Sequence, residues 1–435
     1  MRLLFASLLV QLYAVAAFGQ TLVVTPKKAL LDAPISIKVT GLKPGQAIDL
    51  RAQLQGPRPW SSSARFLANA KGVVDVAELA PQWGTYAGVS ASGLFWSMYP
   101  ADDGSQSVPA PLELSRTVEV AAYLGEQLLG RETIVQTLGG EVTTRTPVEH
   151  SRLRGVLFKP VGAGPFPAVI ELQGSGGGIS EARSRLLAAH GFAVLALAYF
   201  AYEDLPRTLD SIPLEYFETA ITWLSGQPGI QANQMAVVGY SRGAELALLL
   251  GSRFPQLRAV VGRSPSGFIW SSLGSNPPHS GPAWTWQGLP LPYLKDQRGG
   301  VPAGQLVART PSFLRSLQDQ ATVEARIPVE KINGPILLLS GQDDELWPSS
   351  LLSEMIVQSL KERRHAFPVE HLSYPAVGHL WTLPNAPSFF VPRPNTNSGF
   401  LLMFGGARRE TALASQDSWF KTIAFLRSAL SQIKN

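Results

Sequence analysis

The sequence predicts an α/β domain with a mostly parallel sheet, preceded by a β-sandwich domain. Three observations lead to this prediction. The chain has 435 residues, a length that suits two domains. Residues 21–137 contain short apolar runs separated by turn sequences, which is typical of a sandwich. From about residue 152, near-continuous apolar runs alternate with segments of helical spacing, which indicates a parallel sheet covered on both faces.

The composition is that of a folded protein without thiol chemistry. Hydrophobic residues make up 45% and charged residues 16%, which is too apolar for a disordered chain. The net charge is +5, but no run of Lys or Arg concentrates it, so we expect no nucleic-acid partner. There is no cysteine, which excludes disulfides, thiolate nucleophiles and Cys-based metal sites.

The first 19 residues have the pattern of a signal peptide. "MRLLFASLLVQLYAVAAFGQ" carries an early charge at Arg2, then an apolar run that ends in Ala17-Phe18-Gly19. The small residues at Ala17 and Gly19 fit cleavage before Gln20. We therefore expect an exported protein, periplasmic or secreted, with no stable membrane insertion after leader removal. An uncleaved anchor and a buried first strand are the alternatives.

The β-sandwich is predicted over residues 20–140. Runs such as "TLVVTP", "ISIKVTGL" and "AIDLRAQLQ" are separated by turn sequences such as "LKPGQ" and "NAKG". The polar segment 137–151 is interpreted as an interdomain connection. The second domain is then predicted over 150–435.

Strands and helices alternate in the second domain. The predicted strands are "AVIELQG", "FAVLALAYF", "QMAVVGY" and "GPILLLSGQ". The predicted helices are "EARSRLLAAHG", "PLEYFETAITWLSGQPG", "RGAELALLLGSRFP" and the C-terminal "ETALASQDSWFKTIAFLRSAL". Residues 264–311 break the alternation with a Trp-, Pro- and Gly-rich segment, which indicates a lid, a binding loop or an insertion.

Ser241 lies where a strand meets a helix, in "VVGYSRG". A nucleophilic serine requires this strand–turn–helix setting. The turn is sharp, so we expect a β-carbon at Gly239 or Gly243 to crowd the backbone. The helix that follows directs its N-terminus at the site and favours developing negative charge. The backbone N–H of Arg242 is therefore a candidate oxyanion donor.

A serine nucleophile needs a base and an acid that orients the base. In α/β-hydrolases these follow the serine in the order Asp or Glu, then His. "PILLLSGQDDELWP" runs from a buried strand into an acidic loop, where we select Asp344 and keep Asp343 as the alternative. Of the four histidines after Ser241, we select His379 as the base, because "YPAVGHLW" follows the acidic loop and places this histidine in turn sequence.

A second oxyanion donor is expected in the loop after an early strand. "AVIELQGSGGGISEARS" has four glycines within 174–178 and precedes a helix. We select Gly176, a choice that is open by one residue. A phosphate-binding loop is the competing interpretation, but no lysine of the type found in P-loops follows.

Several stretches resemble one known family. "GTYAGVSASGLFWSM", "ELQGSGGGISEARSRLLAAHGFAVLALAYF", "IPLEYFETAITWL", "VVGYSRGAELALLL" and "YPAVGHL" are similar to the acyl-CoA thioesterases and bile acid-CoA:amino acid N-acyltransferases. The resemblance implies an immunoglobulin-like β-sandwich before an α/β-hydrolase domain. It also implies a triad of Ser241, Asp344 and His379. Since transferases of the family use cysteine and thioesterases typically use serine, it implies hydrolysis here.

We therefore expect a serine hydrolase of the acyl-CoA thioesterase type, with a small acyl thioester or ester as substrate and neither cofactor nor metal. An exported carboxylesterase or lipase-like hydrolase is one alternative, because a signal peptide would place the protein where CoA is scarce. A catalytically inactive binding module is another. Arg242 and the basic balance are compatible with an anionic substrate. Acyl chain length and oligomeric state stay open.

Overall fold

The structure is a computed structural model of the whole chain. It describes residues 19–56, 59–100, 114–274, 280–297, 304–320, 323–388, 393–394 and 401–431. The predicted signal peptide lies almost wholly outside the described residues, and its cleavage stays a prediction. Within the described residues, no helix combines the length and apolar character that crossing a membrane requires.

The N-terminal region folds into strands and one short helix. These elements are β1 (Thr21–Thr25), β2 (Lys28–Leu30), β3 (Ser36–Thr40), β4 (Ala47–Leu54), β5 (Trp60–Leu67), β6 (Val74–Asp75), β7 (Trp83–Gly84), α1 (Gly93–Trp96), β8 (Tyr99–Pro100), β9 (Ser115–Leu124) and β10 (Gln127–Thr137).

Two sheets face each other in this region. One has the order β1-β3-β6, and the other β2-β10-β9-β4-β5-β7 with β8 beside β5. Inward side chains from both sheets, among them Val24, Ile37, Leu50 and Phe66, form one buried core. Alternate residues of β1 are buried and exposed, which is the pattern of a strand with one covered face. The predicted β-sandwich is confirmed.

The second domain contains the remaining elements. Its strands are β11 (Thr143–Pro147), β12 (Arg154–Pro160), β13 (Phe166–Leu172), β14 (Ala193–Ala198), β15 (Ile212–Pro213), β16 (Ile230–Tyr240), β17 (Leu257–Arg263), β18 (Trp284–Trp286), β19 (Leu289–Pro290), β20 (Leu306–Val307), β21 (Ile336–Gly341), β22 (Val369–Tyr374), β23 (Arg393–Pro394) and β24 (Leu401–Leu402). Its helices are α2 (Glu181–Ala189), α3 (Glu215–Ser225), α4 (Arg242–Arg253), α5 (Thr310–Gln320), α6 (Ser349–Glu362) and α7 (Arg408–Ser431), with a 3₁₀ turn at Val329–Lys331.

An eight-stranded sheet organises this domain, in the order β11-β12-β14-β13-β16-β17-β21-β22. Every pairing from β14 to β22 is parallel, and β11 and β12 are antiparallel at one edge. β14 is buried along its whole length, because helices cover both faces of the sheet. The predicted mostly parallel sheet is confirmed. The carboxyl ends of β13, β16 and β21 meet at one edge, where loops can assemble a site.

The segment interpreted as an interdomain connection is in part a strand. β11 lies within 137–151 and pairs antiparallel with β12 at the sheet edge. Thr143 is buried and the four residues after it are exposed. Because an edge strand exposed in this way has no apolar face, its polar sequence carries none of the alternation that predicts a strand.

The segment 264–311 is interpreted from the sequence as a lid, a binding loop or an insertion, and its described residues include strands β18, β19 and β20. Its strand β18 pairs with β15 and β19, and Trp284 is fully buried in the main core. The two domains also share a buried contact. Asp32 Oδ2 lies 2.5 Å from His190 Nε2 and accepts a 2.7 Å hydrogen bond from the Trp419 indole.

Candidate active site

Ser241 occupies a strained turn between β16 and α4. Its φ is +56° and its ψ is −121°, outside the regions that non-glycine residues ordinarily adopt. Its N–H donates to the Arg263 carbonyl at 2.8 Å, and its own carbonyl accepts from the Ala244 N–H at 2.8 Å. These bonds hold the turn, which projects the Ser241 hydroxyl beyond the carboxyl end of the sheet.

The two glycines around Ser241 are required by close backbone approach, as expected from the sequence. A Cβ on Gly239 would lie 2.0 Å from the Gly243 carbonyl oxygen. A Cβ on Gly243 would lie 2.4 Å from the carbonyl oxygen of Gln173. Both neighbours are main-chain atoms, so neither can move aside without shifting helix α4 or the loop after β13.

Gly243→Ala is therefore expected to lower the free energy of unfolding by about 3 kcal/mol, because the added methyl group overpacks a buried backbone contact. Denaturant unfolding measures the change. Gly176→Ala is the matched control, since a Cβ there meets no atom within 4 Å. Equal stability of the two variants would contradict the backbone-contact explanation.

The structure brings Ser241, His379 and Asp344 together. His379 Nε2 lies 2.9 Å from Ser241 Oγ, and His379 Nδ1 lies 2.8 Å from Asp344 Oδ2. All three are buried, with 3%, 1% and 6% of their surface exposed, respectively. An imidazole between a hydroxyl and a carboxylate can accept the hydroxyl proton while the carboxylate stabilises the imidazolium that forms.

The two adjacent aspartates occupy different environments. Asp344 Oδ1 accepts from the N–H groups of Leu346 and Trp347 at 3.0 and 3.2 Å, and Oδ2 accepts from Ser349 Oγ at 2.6 Å. Asp343 Oδ2 accepts instead from the Gly406 N–H at 3.0 Å. Of the two alternatives that the sequence leaves open, Asp344 is the one beside the histidine.

The main chain of His379 is also held. Its N–H donates to the Phe404 carbonyl at 2.7 Å, and its carbonyl accepts from the Tyr240 hydroxyl at 3.1 Å. Sequence reasoning does not find Phe404 or Ser349 as contributors, because they come from segments with no local motif and meet the site only in the folded chain.

The loop at 174–178 lies beside Ser241. A Cβ on Gly174 would lie 3.5 Å from Ser241 Oγ. The Gly177 N–H donates to the Gly174 carbonyl within the loop, and the Gly178 N–H donates to the Phe200 carbonyl after β14, so both groups already have a main-chain acceptor. Gly176 lines the cavity that contains Ser241. Its role as an oxyanion donor stays a prediction, as does that of the Arg242 N–H in the first turn of α4.

A cavity of about 570 Å³ opens at Ser241. Much of its lining is aromatic or aliphatic, which suits an apolar acyl group. The Phe, Tyr and Trp side chains of this lining are Phe200, Tyr240, Trp270, Phe313, Trp347 and Phe404.

The side chain of Arg242 is committed to contacts within the domain. Its guanidinium lies 3.2 Å from Glu245 Oε2 and donates to the Trp270 carbonyl at 2.9 Å. Arg242 is 4% exposed and Glu245 is fully buried. Because Glu245 already matches its charge, the Arg242 side chain alone gives no specific support to an anionic substrate.

Burial raises the pKa of the Glu245 carboxyl to about 7, although Arg242 and hydrogen bonds from Trp284 and Trp270 act in the opposite direction. Below pH 4.5 the carboxyl is protonated in both the folded and the unfolded chain. As the pH rises toward 7, the unfolded chain ionises first, so the folded state loses stability.

Glu245→Gln removes this ionisation. The free energy of unfolding of the variant minus that of the wild type should therefore increase by about 3 kcal/mol between pH 4.5 and pH 8. Denaturant unfolding over this range measures it, with Glu126→Gln at an exposed turn as the control. A difference that is independent of pH would contradict the raised pKa.

The sheet order and the hydrogen-bonded Ser241, His379 and Asp344 define an α/β-hydrolase domain, here preceded by a β-sandwich. Residues 212–432 match the family model described as BAAT / Acyl-CoA thioester hydrolase C terminal, and residues 32–150 match the corresponding N-terminal region. The chain belongs to the family of acyl-CoA thioesterases and bile acid-CoA:amino acid N-acyltransferases.

Individual relatives cover nearly the whole chain. It is 32% identical to acyl-coenzyme A amino acid N-acyltransferase 2 of Mus musculus, over 94% of this chain and 98% of the relative. This chain is 31% identical to acyl-coenzyme A thioesterase 5 of Mus musculus, over 92% of this chain and 94% of the relative. Among solved structures, a putative dienelactone hydrolase from Klebsiella pneumoniae has 17% identity and a TM-score of 0.39, over 66% of this chain and 98% of that one.

Proposed function

We propose that the protein is a serine hydrolase that cleaves acyl thioesters of coenzyme A. The observation that carries the proposal is the pair of contacts of His379, 2.9 Å to Ser241 Oγ and 2.8 Å to Asp344 Oδ2, beside a cavity that is lined in large part by aromatic and aliphatic side chains. Relatives over nearly the full length include proteins named as acyl-coenzyme A thioesterases, which supports the substrate class.

In the proposed reaction, His379 takes the Ser241 proton as Oγ attacks the thioester carbonyl carbon. The N–H groups of Arg242 and Gly176 would stabilise the oxyanion. The C–S bond then breaks, and the thiol leaves with the proton held on His379. Water attacks the acyl-Ser241 ester with His379 again as base, which releases the carboxylic acid and restores the serine.

Hydrolysis is favoured over amino-acid conjugation by the identity of the nucleophile. The chain has serine at 241 and no cysteine, whereas the transferases of the family that it resembles use cysteine. With decanoyl-CoA and an excess of glycine, we expect decanoic acid as product. Formation of N-decanoylglycine at a comparable rate would contradict this part of the proposal.

A second candidate function is hydrolysis of non-CoA acyl esters outside the cell. The specific observation in its favour is the leader-like sequence at 1–19, since an exported enzyme would meet little CoA. Sequencing the N-terminus of the mature protein tests export. We propose that the mature chain begins at Gln20, and a chain that keeps Met1 or Arg2 would contradict this.

A substrate panel separates the candidates. We expect acyl-CoA thioesters from acetyl to decanoyl to be hydrolysed, with decanoyl-CoA preferred over acetyl-CoA because aromatic and aliphatic side chains form much of the cavity lining. Cleavage of long acyl esters without cleavage of acyl-CoAs would replace the thioesterase by the esterase. If neither is cleaved and a serine-reactive phosphonate does not label the protein, a binding module replaces both.

A further inference from the structure

Two charged side chains of α4 hold one residue of the cavity wall by its main chain. Arg242 Nη2 donates to the Trp270 carbonyl at 2.9 Å, and the Trp270 N–H donates to Glu245 Oε1 at 3.4 Å. Arg242 Nη1 and Glu245 Oε2 lie 3.2 Å apart. The same Oε1 accepts from the Trp284 indole at 2.8 Å. The ion pair thus contacts both the main-chain carbonyl and the main-chain N–H of Trp270.

Trp270 begins a series of aromatic contacts that reaches the base. Its ring packs edge to face on Phe313 at 4.7 Å between centroids, and Phe313 packs in the same way on Trp347 at 5.9 Å. Trp347 lies edge to face on His379 at 5.9 Å. Trp270, Phe313 and Trp347, here called the aromatic wall, line the cavity together. A displacement of Trp270 would therefore change the surface that an acyl group meets.

Stability alone does not explain a buried ion pair at this position. Desolvation of two charges generally offsets their attraction, and well-packed apolar residues are as stable or more so. Burial raises the pKa of Glu245 to about 7, so that its ionised form is disfavoured in the fold. The directed contacts to Trp270 supply a different reason for the pair.

We propose that the Arg242 side chain and Glu245 are positioning residues that fix Trp270, and through it the aromatic wall, for the acyl group of the substrate. This inference depends on the proposed function, because it assigns the pair a role in the same cavity. Because the pair acts through the cavity wall, its effect should fall on acyl-chain selectivity.

The test is kcat and KM of Glu245→Gln with acetyl-CoA and decanoyl-CoA. We expect KM for decanoyl-CoA to increase about three- to tenfold more than KM for acetyl-CoA, as loss of a charge-assisted contact predicts. Glu171→Gln is the matched control, since Glu171 is also buried beside arginines, Arg183 at 3.7 Å and Arg263 at 3.5 Å, but does not contact the wall. It should leave the ratio unchanged.

Arg242→Met and the double variant separate positioning from stability. Each single variant leaves one buried charge unmatched, and the double variant removes both charges. We expect the double variant, which combines Arg242→Met with Glu245→Gln, to unfold at a higher temperature than either single variant. Its loss of acyl-chain selectivity should nevertheless be as large as that of the more affected single variant. Recovery of selectivity together with stability would overturn the proposal.

The outcomes also distinguish this inference from the proposed function. A wild type that turns over neither acyl-CoA overturns both. A wild type that turns over both, with an unchanged KM ratio in Glu245→Gln and Arg242→Met, overturns the positioning role and leaves the hydrolase intact.

Discussion

Replacement of Ser241 by alanine is expected to reduce kcat for decanoyl-CoA by about 10⁴- to 10⁶-fold, because no acyl-enzyme can form. The fold should persist. The Ser241 hydroxyl contacts His379, while the strained turn is held by main-chain bonds to Arg263 and Ala244 that alanine keeps. Initial-rate kinetics measure the loss of turnover, and thermal unfolding checks the fold.

Ser340→Ala is the matched control for this variant. Ser340 is also buried, and its hydroxyl lies 2.8 Å from His371 Nε2, but the pair lies outside the cavity. We expect its kcat to stay within about threefold of the wild type, as for a change distant from the chemistry. Comparable losses in both variants would mean that Ser241 acts through stability and not as a nucleophile.

Asp344→Asn is expected to reduce kcat by about 10⁴-fold. The Asn amide can donate to His379 Nδ1, which would move the imidazole proton to Nε2, the atom that must accept the Ser241 proton. KM should change little, since Asp344 lies behind the histidine. Steady-state kinetics with decanoyl-CoA measure both constants.

The neighbouring residue provides a control of the same chemistry. Asp343→Asn removes a carboxylate one position earlier that binds the Gly406 N–H and lies away from His379. Its kcat should fall by no more than about fivefold, the cost of one weakened hydrogen bond. A larger loss in Asp343→Asn than in Asp344→Asn would reverse the assignment of the acid.

The sequence predicts the parts of the fold that leave a local pattern. The wholly apolar β14 and the glycine-flanked Ser241 are examples, because burial on both faces and a crowded turn each restrict residue choice over a few positions. β11 leaves no such pattern, since its exposed edge tolerates polar residues. α6 (Ser349–Glu362) is also missing from the prediction, although it provides the serine that binds Asp344.

The site was predictable at the level of residue types and order. Only the structure distinguishes Asp343 from Asp344, because the two are adjacent in the sequence and differ in the direction of their side chains after β21. The contacts of Arg242 and Glu245 with the main chain of Trp270 were not predictable for a related reason. In the sequence, Arg242 suggests an anion site. Only the folded chain shows that its guanidinium contacts Glu245 and the Trp270 carbonyl.

Covalent labelling tests most directly whether Ser241 is the nucleophile of the proposed reaction. The protein is treated with a dodecyl fluorophosphonate, digested and analysed by peptide mass spectrometry, with and without decanoyl-CoA present. We predict one adduct, on Ser241, which decanoyl-CoA slows and which abolishes thioester turnover in proportion to its extent. Loss of turnover with Ser241 unmodified, or full turnover with Ser241 modified, would contradict the assignment of Ser241 as the nucleophile.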